Sequence, residues 1–387
     1  MRPSLLRSSI PLVALGLLTA GSAFPQAALT VPPGGDNQRS VVTQYMGFVA
    51  VTVDYNSPDV TAPNGEDRTG KIWGQLVPYG LTNAGFGNGN PSPWRAGANE
   101  NTTITLSHDV EVEGKALAAG TYGLHFIPGE DDWTVIFSNN STSWGSFFYD
   151  ESEDALRVTV KAEKEVPFRE WLTYDFLDRQ LDSTVVAMHW EHLRVPFRVS
   201  VPDLVDRYVE RMGDELRGSA GFLWQNWNAA AQMILARDPQ GRHLDQALQW
   251  ADAALAAPFV GQENFQTLVT KAQVLQRLER GDEALAIVDR AVEHPTANAN
   301  QIHGLGRQLI GQGEGDRALA VFRKSYVRFD GAWPTHVGMA RGYSAVGEYA
   351  KAIEHAKKAL AQAPNDLNRT SLQGMIETLE GGEDVNG

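Results

Sequence analysis

The segment most suited to chemistry is residues 94–100, which read WRAGANE. The guanidinium of Arg95 can hold a carboxylate or a phosphate through two parallel hydrogen bonds. Asn99 and Glu100 can bond sugar hydroxyls, and an indole from either of two tryptophans can stack on a sugar ring. The segment therefore predicts a small-ligand site. Its predicted residues are Trp73, Trp94, Arg95, Asn99 and Glu100.

A structural role explains the same residues. Arg95 would pair with Glu100 or another carboxylate, Asn99 would tie a turn, and the tryptophans would fill the core. A third interpretation is a hydrolase or carbohydrate-active site within residues 94–100. Carboxylates elsewhere, such as Glu153 and Asp154, flank a predicted strand and are typical of a solvated turn, so no catalytic residue is predicted.

Metal and phosphate motifs are weak in this chain. On a strand, His189 and Glu191 face one way and His192 the other, which excludes a helical zinc motif. Residues 129–132 lack the alternating oxygen ligands of a calcium loop. The glycine-rich residues 85–90 lack the lysine of a phosphate loop. No metal and no cofactor is predicted.

Apolar residues alternate with polar ones through residues 41–201, and turn residues separate the runs. This pattern predicts many short strands in an antiparallel sandwich or barrel, and we favour a β-sandwich. Six strands are centred on Val49–Val53, Tyr122–Phe126, Trp133–Phe137, Leu156–Val160, Val186–Trp190 and Phe197–Val201. An amphipathic helix at 203–217 predicts a connecting element over 202–222.

Residues 223–380 contain one helical pattern four times. The copies begin at Ala247-Leu248, Ala284-Leu285, Ala318-Leu319 and Ala352-Ile353, a spacing of 37, 34 and 34 residues. Small or apolar residues recur at offsets 0, 1, 4, 7 and 8 in each, which marks one face of a second helix. A period near 34 predicts a solenoid of about four helical hairpins. Gly281 and Gly315 lie only three residues before their pairs, so we expect shorter turns there.

The repeats resemble tetratricopeptide repeats, most closely where Gly347-Glu348-Tyr349 precedes the last pair. Members of that family usually bind peptides or proteins in a concave groove. The resemblance therefore implies a protein or peptide partner. The alternative is a stack that only packs against the first domain.

Several strings in residues 41–201 occur together in one known family. They include residues 70–80 (GKIWGQLVPYG), 94–100 (WRAGANE), 119–124 (AGTYGL) and 190–197 (WEHLRVPF). Their order resembles the secreted bacterial family catalogued as domain of unknown function 2911. That family has no established activity, so the resemblance implies architecture rather than chemistry. Residues 81–93 depart from the family pattern as an insertion, which we expect to cover or reshape the surroundings of Arg95.

The N-terminus is typical of an exported protein. Arg2 and Arg7 precede an apolar run at residues 10–18, and Gly21-Ser22-Ala23 offers a cleavage site. We expect a signal peptide over 1–23, although a membrane anchor is the alternative. A flexible lead-in is predicted over 24–40 and a tail over 381–387. The absence of Cys fits a periplasmic or extracellular protein with a large core.

The net charge of −14 excludes the basic surface that nucleic acids require. No later run is long and apolar enough to span a membrane, so no span is expected after signal removal. The leading hypothesis is a non-catalytic binding or scaffolding protein of the bacterial envelope. Its repeats would hold a protein partner, and its sandwich would hold a small ligand.

Overall fold

The computed structural model describes residues 37–83, 85 and 87–387. The predicted signal peptide and most of the predicted lead-in, residues 1–36, lie outside the described residues. The chain divides into two compact units, Met1–Val201 and Pro202–Gly387. The first strand begins at Gln38, so the end of the predicted lead-in is already part of a sheet.

The described part of the first unit is built from ten strands in two antiparallel sheets. The strands are β1 (Gln38–Met46), β2 (Val49–Ser57), β3 (Thr103–Leu106), β4 (Val110–Val112), β5 (Lys115–Leu117), β6 (Gly120–Ile127), β7 (Asp132–Ser138), β8 (Asp154–Lys161), β9 (Glu163–Leu177) and β10 (Ser183–Ser200). One sheet has the order β1-β2-β3-β6-β7-β8 and the other β5-β4-β10-β9.

Side chains from both sheets meet in one core. The rings of Phe137 on β7 and Phe197 on β10 pack edge to face with centroids 5.7 Å apart, and those of Tyr55 on β2 and Tyr174 on β9 are 4.9 Å apart. All four residues are buried. The predicted antiparallel β-sandwich is confirmed.

Strand β10 corrects the predicted strand count. The runs centred on Val186–Trp190 and Phe197–Val201 were expected to be two strands, but they belong to this single strand. Its pairing with β9 is irregular on both sides of Glu191, whose φ is 55°. Because a bulge adds one residue, the buried positions change from even numbers before it to odd numbers after it. The break in alternation makes one strand look like two.

The described residues of the second unit form ten α-helices. They are α1 (Leu204–Glu215), α2 (Trp224–Arg237), α3 (Leu244–Ala256), α4 (Phe265–Arg277), α5 (Gly281–Glu293), α6 (Ala299–Gly311), α7 (Gly315–Arg328), α8 (Trp333–Ala345), α9 (Tyr349–Ala361) and α10 (Asp366–Glu380). Helices α2–α9 make four hairpins, and α10 covers the apolar side of α9. The predicted repeat solenoid is confirmed. None of the helices among the described residues has the length and apolar character that crossing a membrane requires.

The turns inside the hairpins differ from the expectation. Three residues separate the helices in each of the last three hairpins, so the turns before α5 and α7 are not shorter than the one before α9. The left-handed position of each turn is filled by Glu279, Gly313 and Gly347, with φ of 61°, 80° and 74°. Each lies five residues before its Ala-Leu or Ala-Ile pair. The first hairpin, between α2 and α3, has the longer turn.

Helices of the third and fourth hairpins approach closely around Phe322 of α7. Its side chain is buried and touches the backbone at Gly306 of α6 and at Gly338 and Gly342 of α8. A Cβ at Gly306 would lie 2.3 Å from the Phe322 ring. This contact requires glycine because the ring has no free space into which it can move.

We predict that Gly306→Ala destabilises the repeat unit by roughly 1–3 kcal/mol, because the added methyl overpacks against Phe322. The matched control is Gly304→Ala on the same helix, where a Cβ meets no atom within 4 Å. There the loss of glycine's backbone entropy should stabilise the helix by about 0.5–1 kcal/mol. Thermal unfolding followed by circular dichroism at 222 nm measures both. Equal midpoints for the two variants would contradict the packing argument.

Candidate functional site

The predicted ligand segment lies in a long connection, residues 58–102, between β2 and β3. Its backbone is fixed to the sandwich. Trp94 exchanges two backbone hydrogen bonds of 2.8 Å with Phe126 of β6, and the amide of Ala98 donates to the carbonyl of Asn56. The buried hydroxyl of Tyr174 donates to the carbonyl of Ala96 at 2.8 Å. The segment is therefore held as rigidly as a strand although it is irregular.

Two residues of the same segment have a strained backbone. Ala96 and Asn99 have φ values of 53° and 54°, in the left-handed region that side chains disfavour. Gly97 lies between them, and a Cβ there would be 2.7 Å from the hydroxyl of Thr102. Strain of this kind persists only where the surroundings impose it, and it is concentrated at functional sites.

The predicted tryptophans belong to an aromatic cluster. Trp73 lies edge to face against Trp94, Trp133 and Trp190, with ring centroids 5.2–5.7 Å apart. Trp133 and Trp190 are buried, whereas Trp73 and Trp94 are partly exposed. Trp94 also lines two surface clefts beside the segment. The cluster has a mainly structural role, and Trp94 is the member of it that lines the two clefts.

Arg95 has no acidic partner among the described residues. Its Nη1 donates to the carbonyl of Asn99 at 2.5 Å, and its guanidinium lies 4.7 Å from the ring centroid of Phe147. The charge does not pair with Glu100, which accepts a 2.8 Å hydrogen bond from Asn56 instead. Burial lowers the pKa of Arg95.

The position of the guanidinium depends on Gly145. A Cβ at Gly145 would lie 2.6 Å from Cζ of Arg95, so the guanidinium rests directly on this glycine. Phe147 and Gly145 were not among the predicted site residues. They lie about fifty residues along the chain from Arg95, and the spacing of a single sequence contains no signal for that contact.

Glu100 faces a different cleft from Arg95, whereas Asn99 lines that cleft and also one that Arg95 lines. With Asn37, Arg39 and Asp54 they line a polar cleft of about 770 Å³. Arg39 donates to Asp54 at 2.8 Å, and Asn37 donates to Asn99 at 3.2 Å. The acidic and basic groups of this cleft therefore already have partners. The structure separates the carboxylate of Glu100 from the guanidinium of Arg95, which the sequence groups together.

A buried histidine lies behind Arg95. Nδ1 of His125 on β6 is 2.8 Å from the hydroxyl of Ser146. Burial and then the positive charge of Arg95 lower the pKa of His125 from 6.5 to about 4. The imidazole is therefore neutral at neutral pH, and Arg95 supplies the positive charge in this region.

We predict that the sandwich loses stability as the pH falls from about 6.5 to 4, because the unfolded state takes up a proton that His125 in the fold refuses. The free energy of unfolding should be about 2 kcal/mol lower at pH 5 than at pH 7. The His125→Gln variant lacks the titrating group and should lose less between the two pH values. Hydrogen exchange of β6 and β7 peptides, measured in both proteins, gives the difference. The same loss in both would show that His125 is not responsible.

The second unit contains a groove along the first helices of its hairpins. The groove has a volume of about 590 Å³, and α2, α4 and α6 provide its walls. Its lining is rich in glutamine. The lining residues are Gln232, Leu235, Ala236, Gln273, Gln276, Arg277, Gln308 and Gln312.

The glutamines of the groove bond to one another from helix to helix. Gln273 of α4 donates to the side chain of Gln308 on α6 at 2.7 Å, and Gln276 donates to Gln312 at 3.1 Å. Gln232 of α2 donates to Thr270 at 3.1 Å. Each amide retains donors or acceptors for a further bond, because a glutamine offers two N–H groups and one carbonyl. A row of such amides matches the alternating donors and acceptors of an extended backbone.

The tail of the chain lies on α8. Ser344 donates to the carboxylate of Asp384 at 2.6 Å and accepts from the backbone amide of Val385 at 3.0 Å. Nη1 of Arg341 donates to the Val385 carbonyl at 3.2 Å, and the side chain of Asn386 donates to the Arg341 carbonyl. The tail thus forms hydrogen bonds through its backbone and through a carboxylate, as a bound peptide would.

The contacted positions of α8 recur in the earlier hairpins. Arg341 lies 34 residues after Arg307 of α6 and 68 after Gln273 of α4, and Ser344 lies 68 after Gln276. Because the last three hairpins have the same turn length, these residues occupy equivalent positions on their helices. The tail therefore binds the positions that line the groove in α4.

Two arginines make this end of the repeats basic. Arg307 is exposed, and neither it nor Arg341 forms a salt bridge among the described residues. Burial and then the charge of Arg307 lower the pKa of Arg341, while Asp384 opposes the shift. Nε of Arg341 is buried without a hydrogen-bond partner. The two charges are thus close enough to interact, and Asp384 stabilises the charge of Arg341.

No group of three or more His, Asp or Glu side chains in the described part of the chain is arranged to hold a metal ion. His189 and Glu191 are buried in β10, and the ring of His189 bonds to the carbonyl of Pro167. His336 and His355 lie 3.0 Å apart through their Nδ1 atoms.

Residues 37–199 match the model of a family described as protein of unknown function DUF2911. The first unit is similar to this family over those residues. The resemblance expected from the sequence strings is confirmed, and the family description assigns no activity. No curated protein matches the chain.

Solved structures of tetratricopeptide proteins match the helical region. YrrB, titled a TPR protein with an unusual peptide-binding site, is 21% identical and matches over 44% of this chain and 84% of its own, with a TM-score of 0.29. The MamA protein is 17% identical over 42% and 93%, with a TM-score of 0.25. MamA from residue 41 to the end, from Desulfovibrio magneticus RS-1, is 15% identical over 40% and 90%, with a TM-score of 0.26.

Proposed function

We propose that this protein is a binding module whose helical repeats hold an extended, acidic peptide segment of a partner protein. The observation that carries the proposal is the seat of residues 384–386 on α8. There Arg341 and Ser344 hold a backbone carbonyl, a backbone amide and a carboxylate of one short segment. Equivalent positions on α4 face the groove as glutamines.

The amide row supports an extended peptide rather than a helix. An extended backbone presents a free donor and a free acceptor at each residue, whereas a helix bonds most of these groups internally. Gln273 and Gln308 retain N–H groups along the groove, and Gln276 retains its carbonyl because its Nε2 donates to Gln312 and Glu314. Hydrogen bonds to a peptide backbone give affinity for peptides of many sequences. Selectivity among those peptides therefore comes from charge.

Charge supports an acidic partner. The chain as a whole is acidic, with a net charge of −14, yet Arg307 and Arg341 form no salt bridge among the described residues. A carboxylate between them would form charge-assisted bonds that are shorter and stronger than neutral ones. Asp384 of the tail already provides one carboxylate close to Arg341.

Binding of three labelled decapeptides tests the proposal. We predict that EDVNEDVNED, which repeats the chemistry of the tail, binds the full chain more tightly than its neutral analogue QNVNQNVNQN or its basic analogue KKVNKKVNKK. Gln273→Ala and Arg307→Gln should each weaken the acidic peptide, the arginine change by about tenfold, since a charge-assisted bond contributes about 1.5–3 kcal/mol. Fluorescence anisotropy gives the dissociation constants.

The matched control is Lys324→Gln, which removes one positive charge from α7, where Lys324 pairs with Asp289 and Glu293 of α5. It should bind the acidic peptide as the parent does. A chain that ends at Gly382 should bind it more tightly than the full chain, because the tail no longer competes for Arg341. Equal binding of the three peptides, or indifference to both groove substitutions, would refute the proposal.

We also propose that the protein is exported, on the strength of Arg2, Arg7 and the apolar run at residues 10–18. Expression of the complete chain in a bacterial host with an export pathway should yield a mature protein that begins at Phe24. Intact mass spectrometry of the periplasmic and membrane fractions measures this. A chain that retains residues 1–23 in the membrane fraction would support the anchor instead.

A further inference from the structure

The cleft beside Arg95 is a second candidate binding site, separate from the peptide groove. It has a volume of about 340 Å³ and lies wholly within the first unit. Described residues from four stretches of the loop and from the segment after β7 line it. They are Leu76, Val77, Pro78, Gly80, Thr82, Ser92, Pro93, Trp94, Arg95, Ser146 and Phe147.

We propose that this cleft binds a small monocarboxylate with an apolar body, and that Arg95 holds its carboxylate. A guanidinium has five N–H donors, and only Nη1 of Arg95 has a hydrogen-bond partner among the described residues. Among the same residues no carboxylate forms a salt bridge with it. A half-buried positive charge without a carboxylate partner lowers the stability of the fold. A ligand carboxylate supplies that partner.

The guanidinium is positioned before any ligand arrives. Gly145 lies against its Cζ, the ring of Phe147 is 4.7 Å away, and Asn99 fixes Nη1. Each contact restricts a side chain that is otherwise among the most mobile. Binding therefore loses little conformational entropy, which is the condition for appreciable affinity in a small site.

The residues that line the cleft favour a ligand with an apolar body. Leu76, Val77, Trp94 and Phe147 offer apolar surface, and Thr82, Ser92 and Ser146 add neutral hydroxyls to the lining. Among the described residues that line the cleft, Arg95 is the one with an ionisable side chain. One positive charge in an otherwise neutral and apolar cleft matches one carboxylate, and the volume is at the small end of ligand sites.

The neighbouring cleft is the weaker candidate for the same ligand. It also contains Arg95 and Trp94, but Asp59 and Arg68 line it and pair with each other. The carboxylate of Asp59 would repel an anion there. Residues 81–93 distinguish the two clefts, since Thr82 and Ser92 line only the favoured one. These two residues exchange backbone hydrogen bonds, and the amide of Asn88 reaches the carbonyl of Phe147.

Isothermal titration calorimetry of the full chain with phenylacetate and phenylacetamide tests the site. The two probes have the same shape, and only the acid has a charge. We expect phenylacetate to bind and phenylacetamide to bind at least about tenfold more weakly, because the charge-assisted bonds are lost. Absence of heat with phenylacetate at millimolar concentration, or equal affinity for the amide, would overturn the proposal.

Three variants separate a binding role from a structural one. Arg95→Met should fold with an unchanged or higher melting temperature and lose phenylacetate binding by at least about tenfold. Gly145→Ala keeps the arginine but displaces its guanidinium, and should weaken binding as well. Arg39→Met removes an exposed arginine from the polar cleft and should leave binding unchanged. Undiminished binding in Arg95→Met would overturn the proposal.

A carboxylate can also come from the C-terminus of a peptide, and the anion can instead be a phosphate. N-acetyl-Gly-Gly-Phe and inorganic phosphate serve as the two comparison ligands in the same calorimeter. Weaker binding of both than of phenylacetate supports the small monocarboxylate. Tighter binding of either one replaces it with that class of ligand. The outcome is independent of the peptide groove, since Arg95 and Arg341 lie in different units.

Discussion

The close approach of helices at one alanine in each hairpin is the constraint on which the repeat unit depends. The apolar face of each second helix begins with an alanine that is at most 7% exposed. These alanines are Ala247, Ala284, Ala318 and Ala352. A methyl group there lets a neighbouring helix pack at short distance, while larger residues one turn away fill the space between. The repetition of that contact keeps residues 34 apart in equivalent positions. The row of amides and arginines exists because of this alignment.

Both candidate sites have an arginine without a salt bridge among the described residues. Arg95 rests on a glycine and an aromatic ring, and Arg341 lies under the tail of the chain. Burial lowers the pKa of each. In a protein with a net charge of −14, acidic partners are abundant, so a half-buried arginine without one is costly to keep. We therefore propose both arginines as anion-binding positions.

Local patterns predicted most of the elements. Alternation located β2, β6, β7 and β8, and the helical offsets located α3, α5, α7 and α9. The pattern failed at β10, where the bulge at Glu191 changes which residues are buried, and a local reading divides one strand into two. It also failed at the hairpin turns, since glutamate at position 279 adopts the left-handed conformation that glycine adopts at 313 and 347. Strands β3, β4 and β5 are too short to show a period, and β1 and β9 have few buried residues to reveal one.

By itself the sequence determined the order of the architecture, the repeat length and the family resemblance of the first unit. These properties depend on neighbours along the chain or on fixed intervals, which a single sequence displays. Only the tertiary structure decided that Arg95 faces Phe147 and Gly145 while Glu100 bonds to Asn56, and that the tail lies on α8. Those contacts join residues about forty or more positions apart. The free energy of each depends on packing and burial, which no local pattern encodes.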